Sequence, residues 1–277
     1  MSKIKTVLMF SLTMFIIIIL IFVLDGIIED HSVMLKIKDF KSNAVLVYSD
    51  YENSINYYEI TSEESTRTFD YKYCYDNDTS NDYFGDIGDI TITDRNPLRE
   101  YPLSELLTPI VRLLKIGHAT INYYGNELIE SEGKDLKEVK IEKNYWLETT
   151  DAHLIVGLKV KTDSKTKENA SEKAKSWVGL KYNWNFLLSS DDKKNCTGLV
   201  NDAYGNFKIK LNYDGLFVTG NDFITSNDTY IYYLQEKVFE NNKTQTNIYY
   251  LKQSGWKKWN ISKIRLHRLQ QEMLIVL

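Results

Sequence analysis

Cysteine, proline and histidine are all scarce in this chain: its 277 residues include 2 cysteines, 3 prolines and 4 histidines. Two cysteines, Cys74 and Cys196, cannot build a disulfide framework. No His, Cys, Asp or Glu cluster has metal-ligand spacing, and no glycine-rich phosphate loop is present, so neither a metal nor a cofactor is expected. The rarity of proline argues against a disordered chain. Basic blocks are missing as well. The net charge is −4, and nucleic acid is not an expected partner.

What is present supports a real core. Hydrophobic residues make up 43%, and 20 residues are tyrosine, which favours strands. Residues 6–24, from Thr6 to Leu24, form an almost unbroken apolar run. As a helix it spans about 28 Å, enough to cross a bilayer. Lys3 and Lys5 precede it, and Asp25, Glu29 and Asp30 follow it. That asymmetry predicts a single-pass anchor in the cell membrane, with the N-terminus inside and the remainder outside. A cleaved signal peptide is the alternative, but Val23-Leu24-Asp25 is a poor cleavage site.

The expected organisation is an anchor over 1–24, a stalk and accessory segment over 25–84, a main domain over 85–235 and an extension over 236–277. Residues 25–45 read as a polar stalk, helical or extended. Strands are expected at Val45–Tyr48, up to Tyr58, at Ile90–Ile92, His118–Tyr124, Glu127–Ser131, His153–Val160, Tyr230–Leu234, Ile248–Leu251 and Trp256–Trp259. Residues 61–82 read as loop. Helices are expected over Pro102–Lys115, Thr166–Trp177 and Cys196–Tyr204, the last ended by Gly205.

Two fragments carry chemistry: Gly117-His118-Ala119 and Asn195-Cys196-Thr197-Gly198-Leu199-Val200. Asn195 is a good helix N-cap and would place Cys196 in the first turn, where the helix dipole favours thiolate. Backbone N–H groups there are available to an oxyanion. Thr197 and Gly198 are small and leave room for a substrate carbonyl. His118 is the candidate general base, and it needs an acceptor to fix its tautomer. If Tyr124-Gly125-Asn126 forms a three-residue turn, Glu130 shares a face with His118 as a diagonal neighbour, and Glu132 lies directly across. A two-residue turn would put His118 and Glu130 on opposite faces. Taken alone, Cys196 could also be a buried structural thiol or a disulfide partner of Cys74.

Trp177-Val178-Gly179-Leu180-Lys181-Tyr182 followed by Asn195-Cys196-Thr197-Gly198-Leu199-Val200 resembles the nucleophile region of NlpC-type papain-fold hydrolases. Gly88-Asp89-Ile90, Gly117-His118-Ala119 and Leu128-Ile129-Glu130 resemble that family's Gly-Asp and Gly-His strands. Here the histidine segment comes first, as in the circularly permuted, YiiX-like amidase branch with its acyltransferase-like relatives. Gly220-Asn221-Asp222-Phe223 is similar to that branch's tail. The likeness covers roughly residues 85–235. Asn195 stands where the family has Asp, and Lys181 where it has Pro.

The resemblance implies an α+β fold: a permuted papain-like core with an antiparallel sheet packed against helices, carried on the transmembrane helix. It implies a catalytic set of Cys196, His118 and Glu130, and substrate-binding positions at Tyr182, Thr197 and Asp89. The expected activity is cysteine hydrolysis of amide or ester bonds in a cell-envelope peptide, polymer or lipid-linked substrate. Acyl transfer and a non-catalytic surface module are the alternatives.

Overall fold

The computed structural model describes residues 2–61, 85–95, 117–132, 138–146, 152–185, 190–215, 217–240 and 243–252. The expected loop over 61–82, the helix over Pro102–Lys115, the strand Trp256–Trp259 and Cys74 lie wholly or almost wholly outside them.

Helix α1 runs from Ser2 to Lys41 without a break. No proline interrupts it, and its first part is dominated by Leu, Ile, Phe and Val. Val7, Phe10, Phe15, Leu20 and Ile21 are exposed, so this part buries nothing against the protein. It is long and apolar enough to cross a membrane. Beyond Leu24 the pattern changes. Gly26, Glu29 and Val33 are buried, and Ile37 and Phe40 pack on the core, forming one stripe at helical spacing. The expected stalk is therefore a helix of the folded domain, and the boundary at 24/25 falls inside α1. Lys36 Nζ donates to Ser226 O at 2.8 Å, and Lys41 pairs with Glu236 at 3.0 Å.

Among the described residues, eleven strands form one sheet. They are β1 (Ala44–Asp50), β2 (Ile55–Ile60), β3 (Ile90–Thr93), β4 (His118–Asn122), β5 (Glu127–Glu132) and β6 (Glu138–Lys143). There follow β7 (Leu154–Val160), the two-residue β8 (Lys181–Tyr182) and β9 (Lys193–Lys194), then β10 (Thr229–Glu240) and β11 (Lys243–Leu251). The spatial order is β1-β2-β11-β10-β7-β3-β4-β5-β6-β8-β9. Most pairs are antiparallel as expected, but β2 with β11 and β8 with β9 are parallel. The 235/236 boundary lies inside β10, because that strand continues to Glu240 and returns as β11 onto β2. The described parts of the segments expected as accessory and extension thus complete the sheet of the main domain.

Among the described residues, three further helices pack on this sheet: α2 (Ser164–Lys175), α3 (Cys196–Gly205) and α4 (Gly220–Thr225). Helix α2 starts where Asp163 accepts from Thr166 N, a side-chain N-cap. Helices α2 and α3 lie against each other and against β4 and β5, whereas α4 sits between α1 and strands β7 and β10. Ile121, Leu128 and Ile129 of the sheet and Leu199, Val200 and Tyr204 of α3 are fully buried in one core. Burying each aliphatic side chain of this kind is worth about 1.5–3 kcal/mol, so α3 is held firmly at the strands that carry His118 and Glu130.

Candidate active site

The hairpin between β4 and β5 sets the first two side chains. Its loop is Tyr124-Gly125-Asn126, and Gly125 adopts φ 64°. That left-handed conformation is open to glycine at little cost. Asn122 pairs with Leu128 and Thr120 with Glu130, the register of a three-residue loop. His118 and Glu130 therefore stand on one face as diagonal neighbours. His118 Nε2 lies 2.7 Å from Glu130 Oε2. Glu132, the alternative acceptor, instead pairs with Lys140 at 2.9 Å and Arg95 at 3.6 Å.

The third side chain comes from α3. Asn195 caps this helix by accepting from Gly198 N at 2.6 Å. A Cβ at position 198 would sit 2.7 Å from Asn195 Oδ1, so the cap requires glycine there. Upstream, Ser131 Oγ donates to Lys194 O at 2.5 Å and ties the helix entry to β5. Cys196 is thereby fixed in the first turn, and its thiol is free of disulfide bonding. With Nε2 engaged by Glu130, Nδ1 is the ring nitrogen left for sulfur, and the imidazole hydrogen-bonds the thiol. The N–H groups of Ala119 and Thr197 also point at Sγ.

All three groups are sequestered: Cys196 is 1% exposed, His118 4% and Glu130 0%. Burial opposes charge on each of them, yet mutual hydrogen bonding wins. Burial alone would raise the Cys196 thiol, but the hydrogen bond and charge of His118 hold it below the ordinary thiol value. Burial would lower His118, but bonds to Cys196 and Glu130 push it up to about 10. Burial would raise Glu130, and His118, Tyr145 and Lys140 bring it down to about 2. The arrangement favours thiolate beside imidazolium over thiol beside imidazole.

Tyr182, 3% exposed on β8, also reaches the sulfur. Burial first, and the neighbouring Cys196 second, push its phenol well above the usual range, so it remains a donor. Thr197 serves differently from the expectation. Its hydroxyl donates to Val218 O at 2.9 Å, which ties α3 to the segment before α4 and leaves only its backbone N–H for the site.

Asp89 does not join this group. It sits where Asn122 N donates to Asp89 O, at the far end of β4 from His118. Four residues of strand put about 13 Å between the two ends. The Asp89 carboxylate is fully buried against Lys159 at 2.6 Å and Lys167 at 3.3 Å, and it accepts from Asp86 N. Lys159 pairs with Asp86 as well, and Tyr204 hydroxyl donates to Gly88 O. These contacts give Asp89 a structural role in place of the expected substrate contact.

Two residues that sequence reasoning missed complete the site. Tyr145 hydroxyl donates to Glu130 Oε2 at 2.8 Å. The ring of Trp146 lies 5.9 Å from the His118 ring, and its Nε1 donates to Thr120 Oγ1 at 3.0 Å. They follow β6 as an aromatic pair in a tyrosine-rich chain, and no spacing rule links them to His118.

No known family model matches this chain, and no curated protein matches it. Among solved structures it is similar to the metalloprotein YiiX from Escherichia coli O157:H7, with 18% identity, 46% of this chain and 69% of that chain covered, and a TM-score of 0.36.

Proposed function

We propose that this chain is a membrane-anchored cysteine hydrolase that cleaves amide or ester bonds through Cys196, His118 and Glu130. One observation carries the reading: an imidazole held at 2.7 Å by a buried carboxylate also hydrogen-bonds a free thiol at a helix N-terminus. That is the wiring of an activated nucleophile, with base and orienting group in sequence. The sequence resemblance to permuted, YiiX-like papain-fold amidases agrees with it.

In this mechanism the Cys196 proton passes to His118 Nδ1, and the thiolate attacks the substrate carbonyl carbon. The carbonyl oxygen becomes an oxyanion, which the Cys196 N–H and the Tyr182 hydroxyl stabilise. His118 returns its proton to the leaving amine or alcohol as the C–N or C–O bond breaks, leaving a thioester on Cys196. Water then attacks the thioester while His118 takes its proton. Collapse releases a carboxylic acid and restores the thiol. Glu130 stays ionised throughout and holds the ring in place.

The substrate class follows from tethering: an outward-facing domain on a short anchor meets cell-envelope peptides, wall polymers and lipid-linked acyl groups. The test is turnover of peptidoglycan-derived peptides by the full chain in detergent, with trapping of the acyl-enzyme by mass spectrometry. Wild type is expected to form a thioester adduct on Cys196, and Cys196→Ala to form none and to lose turnover. Full turnover by Cys196→Ala would overturn the mechanism. Transfer of the trapped acyl group to an added amine in preference to water would assign acyl transfer instead.

A further inference from the structure

Away from the thiol, where α1 leaves its apolar segment, carboxylates from two distant parts of the chain meet. One oxygen each of Asp25, Glu29 and Asp214 lies within 4.8 Å of the others. Asp25 and Glu29 are one helical turn apart on α1, and Asp214 comes from the segment between α3 and α4. Among the described residues, no lysine or arginine pairs with Asp25 or Glu29. The acidic side chain of Asp222, on α4, is the next neighbour and adds negative charge.

Glu29 is the informative member. It is 8% exposed, and its Oε2 accepts from Thr219 Oγ1 at 3.0 Å. Its other oxygen, Oε1, is buried and has no hydrogen-bond partner. A buried carboxylate oxygen without a partner, on a side chain clustered with two further carboxylates, costs several kcal/mol unless a cation or a proton fills the gap.

We propose that Asp25, Glu29 and Asp214 form a binding site for a hard divalent cation of the calcium type, which clamps α1 to the folded domain just beyond the membrane-spanning run. The donor set is all oxygen, as hard cations require. A spread within 4.8 Å suits Ca2+, whose bonds of about 2.3–2.6 Å place ligands on either side of the ion without closing the helix onto the loop. Mg2+ has shorter bonds and a stricter octahedron, so it requires the carboxylates to move inward. The remaining positions are open to water. The ion neutralises the like charges that otherwise push α1 away from the Asp214 segment. The site also abuts the catalytic helix indirectly, since Thr219 bonds Glu29 while the adjacent Val218 O holds Thr197.

The test is calorimetric titration of the chelator-treated full chain in detergent with Ca2+, and separately with Mg2+, alongside thermal unfolding. Ca2+ is expected to bind at one ion per chain and to raise the melting temperature by several degrees, and Mg2+ to do so less. Asp214→Asn is expected to abolish the calcium-dependent shift while raising the melting temperature in chelator, because it removes a repelling charge. That second readout separates a lost site from a damaged fold. Asp191→Asn, at an exposed acid beside β9, should keep the full shift. Absence of binding at about millimolar Ca2+, the weak end of protein calcium sites, would overturn the proposal, as would an undiminished shift in Asp214→Asn. Neither readout depends on hydrolase activity, so the site and the proposed catalysis fail or stand separately.

Discussion

Sulfur, imidazole and carboxylate form a graded relay in which each group changes the charge of the next. The Cys196 thiol is held below its ordinary value, and His118 is raised to about 10. An imidazolium stabilised in this way persists as pH rises and is lost only on passing about 10. The thiolate–imidazolium pair therefore occupies a window from below the ordinary thiol pKa up to that limit. Titration of the thiolate by ultraviolet absorbance, with Cys196→Ser as blank, is expected to show a step on the acid side of the usual thiol range. Glu130→Gln removes the carboxylate that supports the ring. In that variant the window narrows from its alkaline side, and the rate of thiol alkylation at neutral pH falls about 100-fold, the low end of a general-base effect.

Asp89 makes the opposite case at the same scale. Its charge is buried between Lys159 and Lys167. Asp89→Asn leaves two buried cations undercompensated, a change that costs about 3–5 kcal/mol. The expected outcome is a large drop in melting temperature. At low temperature the thiolate titration of Cys196 should be unchanged, because the ion cluster lies at the other end of β4.

At the level of elements, the geometry that brings Cys196, His118 and Glu130 together rests on one turn and one cap. The β4–β5 turn decides which face His118 presents. Gly125 permits it with φ 64°, and no atom lies within 4 Å of where a Cβ would stand, so the backbone angle alone calls for glycine. The cap decides where α3 begins. Asn195→Ala removes the acceptor for Gly198 N and should lower stability by about 1 kcal/mol, measured by denaturant unfolding. Because the cap also holds the first turn, the thiolate step of Cys196 should move toward the ordinary thiol value in the same variant.

For the whole molecule, α1 unites two functions in one unbroken helix. Its first part has exposed apolar side chains suited to lipid, and its second part supplies Val33, Ile37 and Phe40 to the core. Removing residues 1–24 should therefore leave a folded domain with cooperative thermal unfolding in buffer. Removing residues 1–41 should cost about 3–6 kcal/mol from the lost apolar burial alone, and also the Lys36 and Lys41 contacts. Circular dichroism melts of the two truncations distinguish a detachable tether from an integral helix: equal melting temperatures would contradict the packing of Val33, Ile37 and Phe40 on the core.

Local chemistry made part of this protein readable from its residues. The apolar run of α1, the Asn195 cap and the helix that begins at Cys196 follow from propensity, periodicity and capping rules that act over a few residues, whereas the residues around Gly125 admit a two- or a three-residue turn and the observed register decides for three. The face shared by His118 and Glu130 follows from that same turn, because strand side chains alternate with a period of two. Packing decided the rest. Whether Asp89 faces a cleft or a pair of lysines, whether the stalk stands free or lies on α4, and whether β11 belongs to an extension or pairs with β2 depend on which distant surfaces meet. Those choices are set by burial summed over many residues far apart in the chain, and no short window of sequence contains that sum.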